Sequence, residues 1–151
     1  MKIIILAIGK EKDFSGSDIV REYTERILHY CPCEWKYIPG NSLDEDNTKL
    51  AAAIDSEKEK LGTFIVALDE KGKEYDSHAF ADHIQSCMNE SVRTLMFVVG
   101  GSYGLNDKVR SRANVVLALS KLTFPHQIVR LILAEQIYRA FTIIRGEKYH
   151  H

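Results

Sequence analysis

Short runs of apolar, largely β-branched residues alternate along this chain with segments of helical periodicity, and this alternation constrains the fold most. The apolar runs predict strands at residues 2–8, 35–38, 64–68, 94–99 and 115–119. The intervening segments predict helices at residues 18–29, 47–60, 77–88, 107–113 and 125–144. Such alternation is typical of an α/β fold with a mainly parallel sheet and helices on both faces. Residues 1–151 are expected to form a single domain.

The apolar runs are all short. The longest, residues 3–8, is far below the roughly 20 residues that a membrane helix needs. The charged segment that follows it does not suit a signal-peptide cleavage site. The chain has 3 cysteines, and an odd count without an export signal predicts free thiols in a reducing compartment. We therefore expect a cytoplasmic protein with no membrane association.

The formal net charge of -1 hides a strong asymmetry along the chain. Residues 1–100 carry 12 Lys and Arg against 18 Asp and Glu, whereas residues 101–151 carry 8 against 3. A basic segment on a nearly neutral protein can be the binding surface of a polyanionic partner. It can equally be a solvated basic face, and composition leaves both interpretations open.

The last predicted helix, residues 125–144, has apolar side chains in nearly every direction around its axis. A helix of this kind must be covered on all sides. The sheet of one small domain is expected to bury a single side. A second copy of the chain is the simplest cover for the rest, so the helix predicts a homodimer.

Two loops that follow predicted strands are candidate ligand sites. In open α/β sheets, ligands bind beyond the carboxyl ends of the strands. Residues 100–104 are rich in glycine, which permits close approach of the backbone to a ligand, although a plain turn explains them equally well. Residues 119–126 offer hydroxyl groups beside a helix start, where simple helix capping is the alternative. Neither loop matches a dinucleotide-binding or P-loop fingerprint.

Other polar residues give weaker indications. Cys31-Pro32-Cys33 lacks a second ligand pair and does not predict a zinc site, so no metal is expected. Glu135 and Arg139 are spaced for an i,i+4 ion pair on the apolar helix, which predicts a half-buried pair with a function. Three histidines are expected at the surface: His29, His78 and His83.

A combination of motifs resembles one known family. The loop Gly100-Gly101-Ser102-Tyr103-Gly104 and the segment Thr123-Phe124-Pro125-His126 are its most recognisable parts. Together the matching segments resemble the ribosomal large-subunit methyltransferase H family, a small branch of the SPOUT methyltransferases. One departure is the last residue, His151, where family members commonly have Lys or Arg. The resemblance covers the whole chain and is carried by residues 1–10, 68–73, 99–105, 119–126, 130–140 and 145–150.

The resemblance implies a fold, a cofactor and a substrate. The C-terminal part would form a trefoil knot, which periodicity alone cannot predict. The family is homodimeric and uses S-adenosylmethionine without a metal. It methylates N3 of a pseudouridine in helix 69 of bacterial 23S rRNA, within the assembled ribosome. Matched residue by residue, the implied cofactor-binding residues are Leu68, Gly100, Leu119, Ser120, Lys121, Leu122, Thr123 and Phe124.

The chemistry of that reaction indicates the catalytic candidates. N3 of pseudouridine lies between two carbonyl groups and must lose its proton, so donors near those oxygens would stabilise the anion. The candidates are Arg139, His126, Tyr149 and His150. The family pattern suggests that the tail of one subunit completes the cofactor pocket of the other. Two alternatives stay open: a SPOUT methyltransferase for another RNA site, and a non-catalytic protein that binds the ribosome.

Overall fold

The computed structural model describes residues 1–12 and 15–149. Within that part, no helix is both long enough and apolar enough to cross a membrane. The strands are β1 Lys2–Ile8, β2 Cys33–Ile38, β3 Thr63–Glu74, β4 Thr94–Val99 and β5 Val115–Ala118. The helices are α1 Ser17–Ile27, α2 Leu43–Lys58, α3 Ser77–Asn89, α4 Asp107–Arg110 and α5 His126–Arg145.

The five strands form one parallel sheet in the order β2-β1-β4-β3-β5. The central strands are almost continuously apolar, as expected for strands that are covered on both faces. Ile5, for example, is opposite Trp35 on one side and Phe97 on the other, and it is fully buried. Because all strands run the same way, their carboxyl ends lie together at one edge of the sheet.

Two apolar cores confirm that helices cover both faces. On one face, Ile5 and Phe97 pack with residues of α1, α3 and α5, such as Leu133. On the other face, Leu6 and its neighbours pack with Ile54 of α2 and with α4. The alternation in the sequence therefore predicted the architecture correctly, because each strand contributes side chains to both cores.

Some boundaries predicted from the sequence are wrong. β3 does not end at Leu68 but continues to Glu74, with a register shift against β5. α2 begins at Leu43 rather than at residue 47, because the Ser42 side chain accepts a hydrogen bond from the Glu45 amide over 3.4 Å. The residue that caps α3 is Asp76 and not Ser77.

The long helix α5 is better covered within one chain than its sequence suggests. It packs against both α1 and α3, so two flanks as well as the sheet side are buried. The side turned away from the sheet keeps apolar side chains at Ile128, which is 38% exposed, and at the half-buried Leu131 and Ile132. The sheet covers one side, as expected, but α1 and α3 also cover the flanks, so the apolar surface left for a second copy is a single face.

Candidate active site

A cavity of about 360 Å³ opens at the carboxyl edge of the sheet. A bulge within β3, the segments after β4 and β5, and the start of α5 form its walls. This volume lies within the range of small-molecule sites. Seven of the eight residues expected to bind the cofactor line it: Leu68, Gly100, Leu119, Ser120, Leu122, Thr123 and Phe124. Lys121 is not among the lining residues, and its Nζ lies 4.0 Å from a carboxylate oxygen of Glu74.

The first wall is a bulge in β3. The register against β5 shifts between Leu68 and Lys73, so the intervening residues leave the ladder. The Lys71 amide donates to Asp69 Oδ1 over 3.0 Å, which closes the bulge. A Cβ at Gly72 would lie 2.6 Å from the Val116 carbonyl oxygen, so only glycine fits where the strand rejoins β5. The strand prediction missed this bulge, although Gly72 was a signal for it.

Arg110 joins this bulge to the glycine loop. Its Nη1 donates to Asp69 Oδ2 over 2.8 Å and also to the Leu105 carbonyl. Its Nη2 pairs with Asp107 over 2.6 Å. The hydrogen bonds to Asp107 and then to Asp69 raise the pKa of Arg110. The Asp69 side chain is only 8% exposed, so the pair is a largely buried link between two walls of the cavity. Sequence reasoning did not single out Arg110.

The glycine loop after β4 forms the second wall. A Cβ at Gly100 would lie 2.9 Å from the backbone of Gly104, so close packing within the loop requires this glycine. Asn47 on α2 supports the loop from behind, because its Oδ1 accepts from the Asn106 amide over 2.8 Å. Asn47 is 2% exposed, and sequence reasoning missed it too. Its only sequence signal is a polar residue on the buried side of a predicted helix.

The third wall is the segment between β5 and α5. The Leu122 amide donates to the Ser120 hydroxyl over 3.0 Å, which forms a local turn. Leu122 itself is 70% exposed although it lines the cavity. His126, at the start of α5, also lines the cavity and is half-buried. This is the one catalytic candidate that the described chain places at the cavity.

Two other catalytic candidates lie in a separate group, named here the outer cluster and formed by Tyr23, Glu135, Tyr138, Arg139 and Tyr149. Arg139 pairs with Glu135 over 2.6 Å, and its guanidinium lies 5.0 Å from the centre of the Tyr149 ring. The Tyr149 hydroxyl donates to Glu135 over 3.2 Å. Arg139 is 13 residues beyond His126, about 20 Å along the helix axis.

The outer cluster is partly buried and charge-paired. The hydrogen bond with Glu135 raises the pKa of Arg139. Burial and the hydrogen bond with Tyr23 raise the pKa of Tyr149, so this phenol stays protonated at neutral pH. The predicted half-buried pair of Glu135 and Arg139 is confirmed, with side chains 18% and 26% exposed. His150 and His151 lie outside the described residues.

Other residues singled out from the sequence play no part in this cavity. His83 was expected at the surface, and this is wrong: it is half-buried between Phe64 and Tyr75, and burial lowers its pKa. His29 and His78 are exposed as predicted. Burial raises the pKa of the Cys31 and Cys33 thiols to about 11 and about 12. Residues 1–12 and 15–149 contain no group of three or more potential metal ligands.

Residues 1–150 match the family described as "Predicted SPOUT methyltransferase". The chain therefore belongs to the SPOUT methyltransferase family, which confirms the resemblance. Membership also implies the C-terminal trefoil knot. Three similar proteins share the name ribosomal RNA large subunit methyltransferase H. That of Cytophaga hutchinsonii is 45% identical over the full length of both chains. That of Parabacteroides distasonis is 42% identical, and the match covers 100% of this chain and 99% of the relative. That of Geobacter sulfurreducens is 40% identical over the full length of both chains.

Proposed function

We propose that this protein transfers a methyl group from S-adenosylmethionine to N3 of a pseudouridine in helix 69 of bacterial 23S rRNA, within the assembled ribosome. The observation that carries the proposal is the cavity at the carboxyl edge of the sheet. Its walls are the segments that the family resemblance assigns to the cofactor. The names of the relatives support large-subunit rRNA as the substrate.

The cavity has the size and composition that the cofactor needs. Leu119 and Leu122 offer apolar surface for an adenine ring, whereas Ser120 and Thr123 offer hydroxyl groups for its polar parts. The close packing of Gly100 against the backbone of Gly104 holds the second wall in shape. When bound, S-adenosylmethionine supplies a methyl group that is already activated by the sulfonium. Lys121 would contribute to cofactor binding only through its backbone, since its side chain does not line the cavity.

The residues of the chain must then position the base and remove its proton. The N3–methyl bond forms as the sulfur–methyl bond breaks, and the N3 proton passes to a base or to water. His126 lies at the cavity, where a neutral imidazole can accept a proton near pH 7. Holding both reactants in attack geometry can lower the barrier by about 7–11 kcal/mol. Arg139, Tyr149 and His150 are proposed as donors to the carbonyl oxygens beside N3.

A homodimer would bring these groups together. In one chain, Arg139 and Tyr149 are separated from the cavity by most of the length of α5. By helical periodicity, Arg139 falls on the same side of α5 as Ile128 and Ile132, whose apolar side chains are not fully covered within one chain. A two-fold interface across this face of α5 would bring the outer cluster of one copy towards the cavity of the other. The functional unit we propose is therefore a dimer with two composite sites.

The RNA would be held mainly through its phosphates. The segment 101–151, with 8 Lys and Arg against 3 Asp and Glu, contains two walls of the cavity and the whole of α5. Cationic side chains there can contact the backbone of a folded rRNA loop. A dimer doubles this basic surface. A protein that acts on ribosomes works where they are, so we propose a cytoplasmic location.

Two measurements test the proposal. Isothermal titration calorimetry with S-adenosylmethionine should show binding, and its absence would favour a non-catalytic ribosome-binding protein. Mass spectrometry of 23S rRNA from a strain that lacks the gene should show loss of one methyl group on a helix 69 pseudouridine. Loss at another nucleotide would instead identify a SPOUT methyltransferase with a different RNA site.

A further inference from the structure

The tip of the glycine loop is a tight turn that carries an aromatic side chain. The Gly104 amide donates to the Gly101 carbonyl over 3.0 Å, so Ser102 and Tyr103 are the two central residues of the turn. Gly104 follows with a φ of +72°, in the left-handed region that favours glycine. The Tyr103 side chain is 73% exposed and yet lines the cavity. It therefore stands at the mouth of the cavity.

The base of this turn is fixed on both sides. Asn47, which is buried, accepts from the Asn106 amide and donates to the Leu43 carbonyl, each over 2.8 Å. On the other side, a Cβ at Gly101 would lie 2.9 Å from Ile8 Cγ2, so the backbone of the turn packs directly on β1. A side chain presented by such a fixed turn loses little conformational entropy when it binds a partner.

The surroundings of Tyr103 combine apolar and cationic groups. Leu122 lines the cavity from the third wall and is 70% exposed. Lys71 lines it from the β3 bulge, beside Glu70. Lys121 precedes Leu122 in the sequence, and its side chain is 67% exposed outside the cavity. Within residues 1–12 and 15–149, the Tyr103 side chain makes no hydrogen bond, ion pair or ring–ring contact. Aromatic rings flanked by lysines are the usual elements of single-stranded nucleic-acid binding, where bases stack and phosphates are neutralised.

We infer that Tyr103 is a stacking platform for the nucleobase that leaves the rRNA loop. Leu122 covers the other side of the cavity mouth, and Lys71 and Lys121 contact the neighbouring phosphates. The inference rests on the proposed function. A base that is to be methylated must leave its stack, and it needs a new stacking partner near the methyl donor. An exposed ring beside the cofactor cavity provides that partner without closing the cavity.

A second copy of the chain is the competing occupant of this ring, and variants of Tyr103 separate the two. Tyr103→Ala removes the ring, whereas Tyr103→Phe keeps it and removes only the hydroxyl. Leu61→Ala is the matched control, because Leu61 is 84% exposed in the turn before β3, at the opposite edge of the sheet. None of these changes removes a buried contact, so all three variants should fold.

The assay is methyl transfer from radiolabelled S-adenosylmethionine to ribosomes purified from a strain that lacks the gene. Tyr103→Ala should lower kcat/KM for ribosomes about tenfold, through a higher KM, in line with the loss of one base–aromatic stack. Tyr103→Phe and Leu61→Ala should stay within about twofold of wild type. The calorimetric Kd for S-adenosylmethionine and the sedimentation mass should be unchanged in all three.

Three results would overturn the inference. An unchanged kcat/KM in Tyr103→Ala would show that the ring does not contact the substrate. A weaker Kd for S-adenosylmethionine would place the ring in the cofactor site, and a lower sedimentation mass would make it a subunit contact. Failure of the proposed function looks different, since the wild-type protein itself would then not bind the cofactor or not methylate these ribosomes.

Discussion

The cavity and the outer cluster differ in how complete they are within one chain. Buried polar links hold the cavity walls to each other, with Arg110 between the first two and Asn47 behind the second. The outer cluster pairs its own charges through Glu135 and Arg139, and none of its residues lines that cavity. The walls of the cavity are thus joined to one another within one chain. The outer cluster, in contrast, is a group of charge-paired side chains without such an enclosure.

This difference supports the proposed dimer, in which each site would combine residues from two chains. A site for a small cofactor can be built by neighbouring strand ends, because parallel strands bring their carboxyl ends to one edge. Groups on the outward side of α5 cannot reach that edge in the same chain, since about 20 Å of helix separates Arg139 from His126. In the proposed dimer, the cofactor half of the site would belong to one chain and the donor half to its partner.

The largest effect is expected from removing the Arg139 guanidinium. Arg139→Ala should lower kcat for ribosome methylation at least about 100-fold, the usual result of removing a donor to a developing anion. The Kd for S-adenosylmethionine should stay unchanged, because Arg139 is proposed as a donor to the base and is not one of the residues that line the cofactor cavity. Arg139→Lys, which keeps the charge but loses the bidentate geometry, should recover only part of the activity.

Dimers formed from two different variant chains test whether the cavity and the outer cluster of one site come from different subunits. Thr123→Trp should fill the cavity, since this exposed side chain lines it, and should abolish cofactor binding. Equal amounts of Thr123→Trp and Arg139→Ala chains, unfolded and refolded together, should recover about a quarter of wild-type activity, because random pairing gives one intact composite site in half of the dimers. No recovery in verified mixed dimers would mean that each chain supplies both halves.

A smaller loss is expected from shortening the tail. Tyr149 packs edge-on against Tyr138, with ring centres 4.8 Å apart, so this part of the tail is ordered on α5. Deleting residues 149–151 should leave dimerisation and the Kd for S-adenosylmethionine near wild type. Methylation of ribosomes should fall at least about tenfold, equal to about 1.4 kcal/mol of transition-state stabilisation. Full activity in the truncated protein would remove Tyr149 and His150 from the proposed site.

Breaking the link between the cavity walls should act on cofactor binding instead. Arg110→Ala leaves the Asp69 carboxylate largely buried and unpaired, which should cost about 1–3 kcal/mol of stability. Because the two walls are no longer joined, the Kd for S-adenosylmethionine should rise about tenfold. Arg112→Ala is the matched control. Arg112 forms an ion pair with Asp55, with a distance of 2.9 Å between the two groups, and neither residue lines the cavity. Equal Kd values in the two variants would contradict a role for Arg110 in shaping the site.

The sequence predicted the architecture because strand and helix periods are local properties. Residues 2–8 and 94–99 were placed without error, since a buried parallel strand is a continuous apolar run. The β3 bulge was missed because its cause is a contact between Gly72 and the backbone of β5, which is distant in sequence. The knot depends on the path of the whole chain and came only from the family resemblance.

The candidate site was predicted unevenly for the same reason. Gly100 follows the last residue of β4, and Leu122 lies in the segment after β5. Their location at the carboxyl edge of the sheet could therefore be inferred from their positions in the sequence. Arg110 and Asn47 act through tertiary hydrogen bonds that local sequence does not encode. Asn47 gave only the weak signal of a polar residue on the buried side of a predicted helix, and Arg110 gave none. The separation of Arg139 from His126 could have been computed from helix geometry alone, since both lie on the same predicted helix.

The smallest effect is expected outside both regions, at His83. Its Nε2 is buried without a hydrogen-bond partner among the described residues, and burial, partly opposed by Glu90, lowers its pKa below 6.5. The unfolded chain therefore binds the proton more readily than the folded chain. Stability should fall as the pH drops through 6.5 and should level off below the folded-state pKa.

His83→Leu should flatten this part of the pH dependence, measured as the free energy of unfolding in urea between pH 8 and pH 5. His78→Gln, an exposed position on the same helix, should leave the curve unchanged. Neither variant should alter the Kd for S-adenosylmethionine or the methylation rate at pH 7.5, because α3 contributes to neither the cavity nor the outer cluster. If His83→Leu changes the Kd or the methylation rate and His78→Gln does not, the packing of α3 against β3 influences the site. The cavity and the outer cluster would then not account for the whole functional site.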